Sequence, residues 1–137
     1  MAAIHGVNAK VTLGATTVLG IGKWSMDGIN VSQADTSAFG STYATFISGM
    51  IDGGTISFDG YYDKDDTTGQ IALKNYADAQ THITSLRLYV DSSSYYAPST
   101  TNPVSYVTIQ NYTITADKGD AVRTTFQAKV SGKFELI

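Results

Sequence analysis

The C-terminal segment alternates apolar and polar side chains, and this pattern constrains the fold more than any other feature of the chain. From residue 122 to residue 136 the odd-numbered positions are polar, whereas the even-numbered positions read Val122, Thr124, Phe126, Ala128, Val130, Gly132, Phe134 and Leu136. A period of two is that of a β-strand with one buried face. Because ordinary strands have about 5–6 residues, we expect either two strands bent near Ser131–Gly132 or one strand that projects beyond its domain.

Shorter segments repeat the same period. Residues 55–62, 86–90 and 104–117 are rich in β-forming residues, and residues 9–20 predict a hairpin around Gly14–Ala15. In residues 24–31 the apolar positions change parity, which predicts a β-bulge at Asp27–Gly28.

One segment predicts a helix. Its apolar residues recur at helical spacing, and Asp66 or Thr67 is the expected N-cap; the stripe consists of Ala72, Leu73, Tyr76, Ala79 and Ile83. Strands, one helix and further strands predict a mostly β fold, an antiparallel β-sandwich or small barrel with one flanking α-helix. The length of 137 residues fits a single domain over residues 1–137.

Two segments predict loops rather than regular structure. Residues 91–103 are a polar Ser/Thr/Pro-rich insertion that contains Tyr95 and Tyr96. Residues 35–54 form a long loop with four glycines, and its large apolar side chains are Phe39, Tyr43, Phe46, Ile47, Met50 and Ile51. Six such side chains must be covered either by the loop's own core or by another subunit. Together with the long last strand, they favour oligomeric assembly.

The sequence contains no recognisable catalytic motif. It has no cysteine, its two histidines, His5 and His82, are far apart, and no nucleophile elbow, P-loop or dinucleotide motif is present. We therefore expect no enzyme activity, no catalytic residues and no cofactor. The acidic run at Asp59, Asp63, Asp65 and Asp66 lacks the ligand spacing of an EF-hand, so helix capping and a solvated turn are favoured over a metal site.

The bulk properties exclude other classes of partner. The net charge of -3 argues against a general affinity for nucleic acid, which requires basic surface. The N-terminus has no secretory signal pattern, and no apolar run approaches the roughly 18 residues of a membrane span. We expect no membrane contact.

Several motifs, taken in order, resemble the major tail tube proteins of long-tailed bacteriophages. The resemblance covers residues 22–136 and rests on DTSAFG (35–40), TFISGMIDGG (45–54), TISFDGYYD (55–63), DDTTGQIALKNYADA (65–79), SLRLYVD (85–91) and KVSGKFEL (129–136). The short N-terminus and the insertion at 91–103 depart from the pattern of that family.

The resemblance implies a structural virion protein with the phage tail tube fold. Such subunits form hexameric rings that stack into a hollow tube, walled by β-strands, around a tape-measure protein. The resemblance further implies tail terminator and tail tip proteins as partners, DNA that passes the lumen without specific binding, and assembly in the host cytoplasm. It places residues 35–54 between subunits, and Asp59 and Glu135, at polar positions of expected strands, are candidates for the lumen.

A different class of function remains open. A β-sandwich could bind carbohydrate or a cell-surface partner through Tyr95 and Tyr96 if their rings formed an aromatic platform in the polar loop. The two hypotheses differ in whether the purified protein polymerises.

Overall fold

The structure, a computed structural model, describes residues 6–40, 42–101 and 104–137. After a short 3-10 turn at Gly6–Asn8, the described elements are β1 (Lys10–Leu13), β2 (Thr16–Thr17), β3 (Ile21–Asp27), β4 (Asn30–Asp35), β5 (Phe46–Asp52), β6 (Thr55–Tyr61), α1 (Gln70–Ala79), β7 (Leu86–Tyr89), β8 (Tyr95–Pro98), β9 (Tyr106–Thr115), β10 (Arg123–Ser131) and β11 (Phe134–Leu136). His5, which the sequence placed in the N-terminal segment, lies outside the described residues.

The strands form three antiparallel sheets. A five-stranded sheet has the order β11-β8-β7-β1-β2, and a four-stranded sheet has the order β3-β6-β10-β9. Within the described part of the chain, β4 pairs only with β5. One helix accompanies them. The predicted mostly β, antiparallel architecture with one flanking helix is confirmed.

The core brings side chains of the two larger sheets and of α1 into one cluster. At its centre the rings of Phe58 and Phe126 stack at 5.3 Å between centroids. Val11 and Leu88 contribute from the five-stranded sheet and Leu73 from the helix, all of them buried. On β10 the alternation is as the sequence predicts, with Thr124, Phe126, Ala128 and Val130 buried.

The long C-terminal segment is two strands, as one of the two sequence predictions had it. β10 belongs to the four-stranded sheet and β11 to the five-stranded sheet, so the chain changes sheets between them. Gly132 makes this bend at φ +97, and a Cβ there would meet the side chain of Ser105. Only glycine adopts such a conformation without strain.

The predicted bulge at Asp27–Gly28 is wrong. β3 ends at Asp27, Gly28 turns the chain at φ +74, and β4 continues in a different sheet. The change of apolar parity therefore marks an exit from the core. The register shift in β3 lies instead at Gly22, between Ile21 and Lys23.

The helix is shorter than its apolar stripe suggested. It ends at Ala79, which is exposed, and Ile83 lies beyond it in an isolated bridge to Val107. The N-cap is Gly69 rather than Asp66 or Thr67. Nevertheless, the Asp66 carboxylate accepts a hydrogen bond from the backbone N–H of Gln70 at 3.0 Å. It therefore satisfies a donor of the first helical turn.

Both predicted loops contain regular structure. Within 91–103, Tyr95–Pro98 forms β8 and pairs with β7 and β11, while Asn102 and Pro103 lie outside the described residues. Within 35–54, Phe46–Asp52 forms β5. Its period is disguised by a bulge, because its register against β4 shifts between Val31 and Gln33.

Candidate assembly surface

The hairpin of β4 and β5 projects from the rest of the molecule. We call residues 27–52 the arm. Every residue of the arm that the structure describes is exposed, including all those of its two strands. The arm sheet shares no strand with the other two sheets. The arm thus lacks the covering layer that sheets normally have. A two-stranded ribbon alone is at best marginally stable in water.

Polar residues nevertheless organise the outer end of the arm. The Thr36 amide donates to the Thr45 carbonyl at 2.8 Å, and the two hydroxyls lie 2.9 Å apart. The Ser37 hydroxyl accepts the Thr45 amide, and the Asp35 carboxylate accepts the Ser37 amide, each at 2.8 Å. This bond from the Ser37 amide lowers the pKa of the Asp35 carboxyl. The exposed apolar side chains are thus presented by a hydrogen-bonded scaffold.

An ion pair ties the base of the arm to the core sheet. Asp52 Oδ1 accepts Lys129 Nζ of β10 at 2.6 Å and the Gly54 amide at 2.8 Å. The hydrogen bond from Lys129, followed by that from Gly54, lowers the pKa of the Asp52 carboxyl. Gly54 has φ +91, and a Cβ there would meet the Asp27 carbonyl, so both strands of the arm enter the core through tight glycine turns.

The six apolar residues that the sequence singled out all lie on this arm. None is buried by the described residues of its own chain. Their side chains remain at least half exposed, and those of Phe39, Met50 and Tyr43 are almost entirely so; the complete set is Phe39, Tyr43, Phe46, Ile47, Met50 and Ile51. Of the two ways to cover them, a loop folded over its own core does not occur in this structure.

Sequence reasoning missed two further apolar residues of the arm. Ile29 is exposed, and Val31 pairs with Ile51 across the hairpin. Both were assigned to a strand continuous with Trp24 and Met26. The parity change at Asp27–Gly28 was the signal that could have separated them from the core.

The two lumen candidates lie on different sheets. Asp59 is exposed on the polar face of the four-stranded sheet, directly across from Lys23. Glu135 belongs to β11 of the five-stranded sheet, where its carboxylate lies 3.4 Å from Lys133 Nζ. No single sheet face brings these two carboxylates together.

The acidic run of the sequence has structural contacts. Asp66 Oδ2 accepts the Leu19 amide at 2.9 Å as well as that of Gln70, and Asp63 Oδ1 accepts the Asp65 amide at 3.0 Å. Within residues 6–40, 42–101 and 104–137, no three His, Asp or Glu side chains are grouped so that they could hold a metal ion. Asp66 thus accepts a backbone donor of the first helical turn, although the N-cap position itself is Gly69. Likewise, no helix in the described part of the chain has the length and apolar character to cross a membrane.

The two tyrosines of the alternative binding hypothesis are partly enclosed. Tyr96 packs against the core. The ring of Tyr95 lies 4.9 Å from that of Tyr89, and the Arg87 guanidinium lies 4.7 Å from its centroid. Both rings are half-buried in β8 rather than displayed on a loop, so they do not form an open platform.

Comparisons with known proteins agree with the fold. No family model and no curated protein matches the chain. A chain in the tail of an empty gene transfer agent particle with C6 symmetry is similar over 98% of this chain and 99% of its own length, at a TM-score of 0.73 and 12% identity.

Injection systems provide further structural relatives. A chain in the PVC sheath/tube terminator of an extracellular contractile injection system, in the extended state, covers 100% of this chain and 98% of its own length, at a TM-score of 0.69 and 11% identity. A chain of the tube-terminating cap of the anti-feeding prophage matches at a TM-score of 0.56 and 14% identity, covering 100% of this chain and 92% of its own. The expected phage tail tube fold is therefore confirmed: this chain has the fold found in these phage-tail-like particles.

Proposed function

We propose that the protein is a structural subunit of a tail tube, in which hexameric rings stack into a hollow cylinder. The observation that carries this proposal is the exposed apolar arm. The C6 symmetry of the gene transfer agent tail, a structure with the same fold, supports six copies in a ring. We assign no catalytic step to the protein.

Burial of the arm supplies a driving force for assembly. Moving a large apolar side chain from water into an interface contributes roughly 1.5–3 kcal/mol. With six such side chains left at least half exposed, the arm can gain several times that amount. Part of the gain offsets the loss of rotational and translational freedom on association. The monomer is thus incomplete, and further copies of the chain complete it.

The four-stranded sheet is suited to form the ring. Its edge strands are β3 and β9, and among the described residues no strand other than β10 pairs with segment 111–115 of β9. Because four antiparallel strands alternate in direction, β3 of one copy and β9 of the next would run antiparallel. Such a head-to-tail contact between two different edges closes into a ring when the rotation between copies permits.

The polar face of that sheet is our candidate for the lumen wall, with Asp59 on it. Two of its basic side chains form ion pairs, since Lys129 contacts Asp52 and Arg123 lies 3.7 Å from Asp120. The third, Lys23, lies in register with Asp59 on the neighbouring strand. Paired cations hold phosphates weakly, because tight binding requires free Lys and Arg contacts. This supports passage of DNA without specific binding. Glu135 lies on the five-stranded sheet and is therefore not part of this proposed wall, so its placement at the lumen stays a prediction.

The remaining partners follow from the proposed role. A tape-measure protein would occupy the lumen during growth, and tail terminator and tail tip proteins would close the two ends. In that role the protein is located in the virion, after assembly in the host cytoplasm. Carbohydrate binding through Tyr95 and Tyr96 is disfavoured, because both rings are partly covered.

The decisive experiment compares the wild-type protein with a variant of the arm at high concentration. We expect the wild type to form rings or tubes in negative-stain micrographs. Phe46→Asp combined with Ile47→Asp should remain a folded monomer, because both side chains are exposed in the isolated chain. Thr67→Asp with Thr68→Asp adds the same charge at an exposed turn elsewhere and should still polymerise. A wild type that stays monomeric at every concentration would refute the proposal.

A further inference from the structure

The polar face of the four-stranded sheet has an uncharged row of side chains at its centre. Residues in register on neighbouring antiparallel strands lie side by side on one face of a sheet. One such row, which we call the neutral row, crosses all four strands and contains only hydroxyl and amide side chains: Ser25, Ser57, Gln127 and Asn111. The middle of the face that we assign to the lumen therefore carries no charge.

Charged residues flank the neutral row on both sides, and their signs balance. In one adjacent row Lys23 is in register with Asp59. In the other adjacent row Asp27 and Lys129 lie on either side of β6. Lys129 also contacts the carboxylate of Asp52. Each flanking row therefore presents both signs of charge.

A further basic side chain of this face is also offset within its own subunit. The Arg123 guanidinium lies over the ring of Tyr61, and its Nε lies 3.7 Å from Asp120 Oδ2. Other carboxylates lie away from the sheet, for example those of Asp63 and Asp65 in the turn before α1. The net charge of -3 is therefore not concentrated on this face, and repulsion of DNA by the wall does not follow from it.

The side chains of the neutral row are available to water. Asn111 is exposed and the other three are half-buried. Within the described part of the chain, none of the four side chains donates or accepts a hydrogen bond inside the protein. Hydroxyl and amide groups both donate and accept, so they bind water in either orientation. A phosphate that displaced this water would exchange one hydrogen bond for another, with little net gain.

We propose that the hydrated neutral row, and not charge repulsion, keeps duplex DNA from adhering to the lumen wall. This inference rests on the proposed tube and on the four-stranded sheet as its inner wall. It goes further, because it identifies the interaction that governs passage: the wall neither attracts nor repels the phosphates. The uptake of DNA by the tube is therefore nearly independent of salt.

Salt concentration distinguishes three kinds of wall. On a wall with free Lys and Arg side chains, DNA retention falls as salt rises, because each neutralised phosphate releases counterions. In an acidic channel DNA uptake rises with salt, because screening weakens the repulsion. On a neutral, hydrated wall neither effect operates, so uptake stays nearly constant.

Assembled tubes provide the test. They are incubated with a short fluorescent DNA duplex and a neutral dextran of similar size, and are then pelleted. The retained ratio of duplex to dextran is measured from about 50 to 200 mM salt. A supercoiled plasmid, which is too wide to thread a tube, measures binding to the outside. After correction for outside binding, we expect the ratio for wild-type tubes to be nearly constant over this range.

Two substitutions place a single charge of either sign in the neutral row. Gln127 lies on β10, an inner strand, so its substitution leaves the two edges of the sheet unchanged. Gln127→Lys should raise duplex uptake at least about tenfold at low salt, with a slope of log uptake against log salt of about -0.9 or steeper. Gln127→Glu should lower uptake at low salt and return to the wild-type value as salt rises. Thr17→Lys, at an exposed position of the five-stranded sheet, should leave the corrected ratio unchanged.

Each outcome bears on a different part of the account. Wild-type uptake that falls with salt would indicate free cations on the wall, and uptake that rises would indicate repulsion. Either result would overturn this inference while leaving the tube proposal intact. Ser57→Lys, directly across on β6, repeats the test if a Gln127 variant does not assemble.

The placement of the wall is tested by the same data. No effect of lysine at residue 127 or residue 57 would also overturn the inference, because this face would then not line the lumen. A wild type that forms no tubes, or tubes that exclude the dextran, would refute the proposed function itself.

Discussion

The same truncation, Phe to Ala, should have opposite consequences in the core and on the arm. Phe58 is 1% exposed and stacks on Phe126, so Phe58→Ala leaves a cavity in the centre of the molecule. Such changes cost about 3–5 kcal/mol, a large part of the 5–15 kcal/mol that typically stabilises a domain. Phe46 is 56% exposed in the isolated chain, so Phe46→Ala should change the free energy of unfolding by no more than about 0.5 kcal/mol.

Thermal and urea unfolding of dilute monomer measure both effects. Trp24, the only tryptophan, lies beside Phe58 across β3 and β6 and reports on the core by fluorescence. We expect Tm to fall by roughly 10 °C or more for Phe58→Ala and to stay within about 2 °C of wild type for Phe46→Ala. In concentrated samples Phe46→Ala should nevertheless weaken polymerisation, although it leaves the stability of the monomer nearly unchanged. An equal loss of stability from the two variants would refute the distinction between core and arm.

Three further predictions follow from individual contacts. Gln70→Met should lower the free energy of unfolding, measured in urea, by roughly 2 kcal/mol. The buried side-chain amide of Gln70 donates to the carbonyls of Leu19 and Tyr61, and both would lose a partner. A variant as stable as the wild type would contradict this. Asp52→Asn should lower Tm slightly at pH 7 but not at about pH 2. The pKa of the Asp52 carboxyl is lower in the folded than in the unfolded chain, so its ionised form contributes stability above the unfolded-state pKa, and this contribution is lost as the pH falls through the folded-state pKa. A Tm difference that persists in acid would contradict the assigned cause. If β3 and β9 pair between copies, Ser25→Cys should form intersubunit disulfides in assembled protein with a cysteine at one of the polar-face positions of β9, residue 111, 113 or 115, whereas Ser25→Cys with Ile114→Cys, on the opposite face of β9, should form none. Since the chain has no native cysteine, every crosslink reports the introduced pair.

The sequence predicted those elements whose period is unbroken. The alternation from Thr124 to Val130 directly reflects one buried face of β10, and the glycine at 132 marks the bend between β10 and β11. The six apolar side chains of residues 35–54 could also be singled out, because large apolar side chains in a glycine-rich segment require a covering surface, whereas Ile29 and Val31 of the same arm could not.

The missed features depend on interactions between distant segments. β5 shows no period of two, because the bulge at Gly49 brings Phe46 and Ile51 to one face, and that bulge exists only in its pairing with β4. The exit of the chain at Gly28 looked like a local bulge, since parity alone cannot show that the next strand joins another sheet. For the same reason, two polar strand positions such as Asp59 and Glu135 appeared equivalent although they lie on different sheets.

End-on averages of the assembled wild-type protein in cryo-electron microscopy test the central claim most directly. We predict closed rings with six-fold symmetry around an open channel, and side views in which these rings stack without gaps. A protein that remains monomeric at high concentration, or assembles into open filaments without a channel, would contradict it.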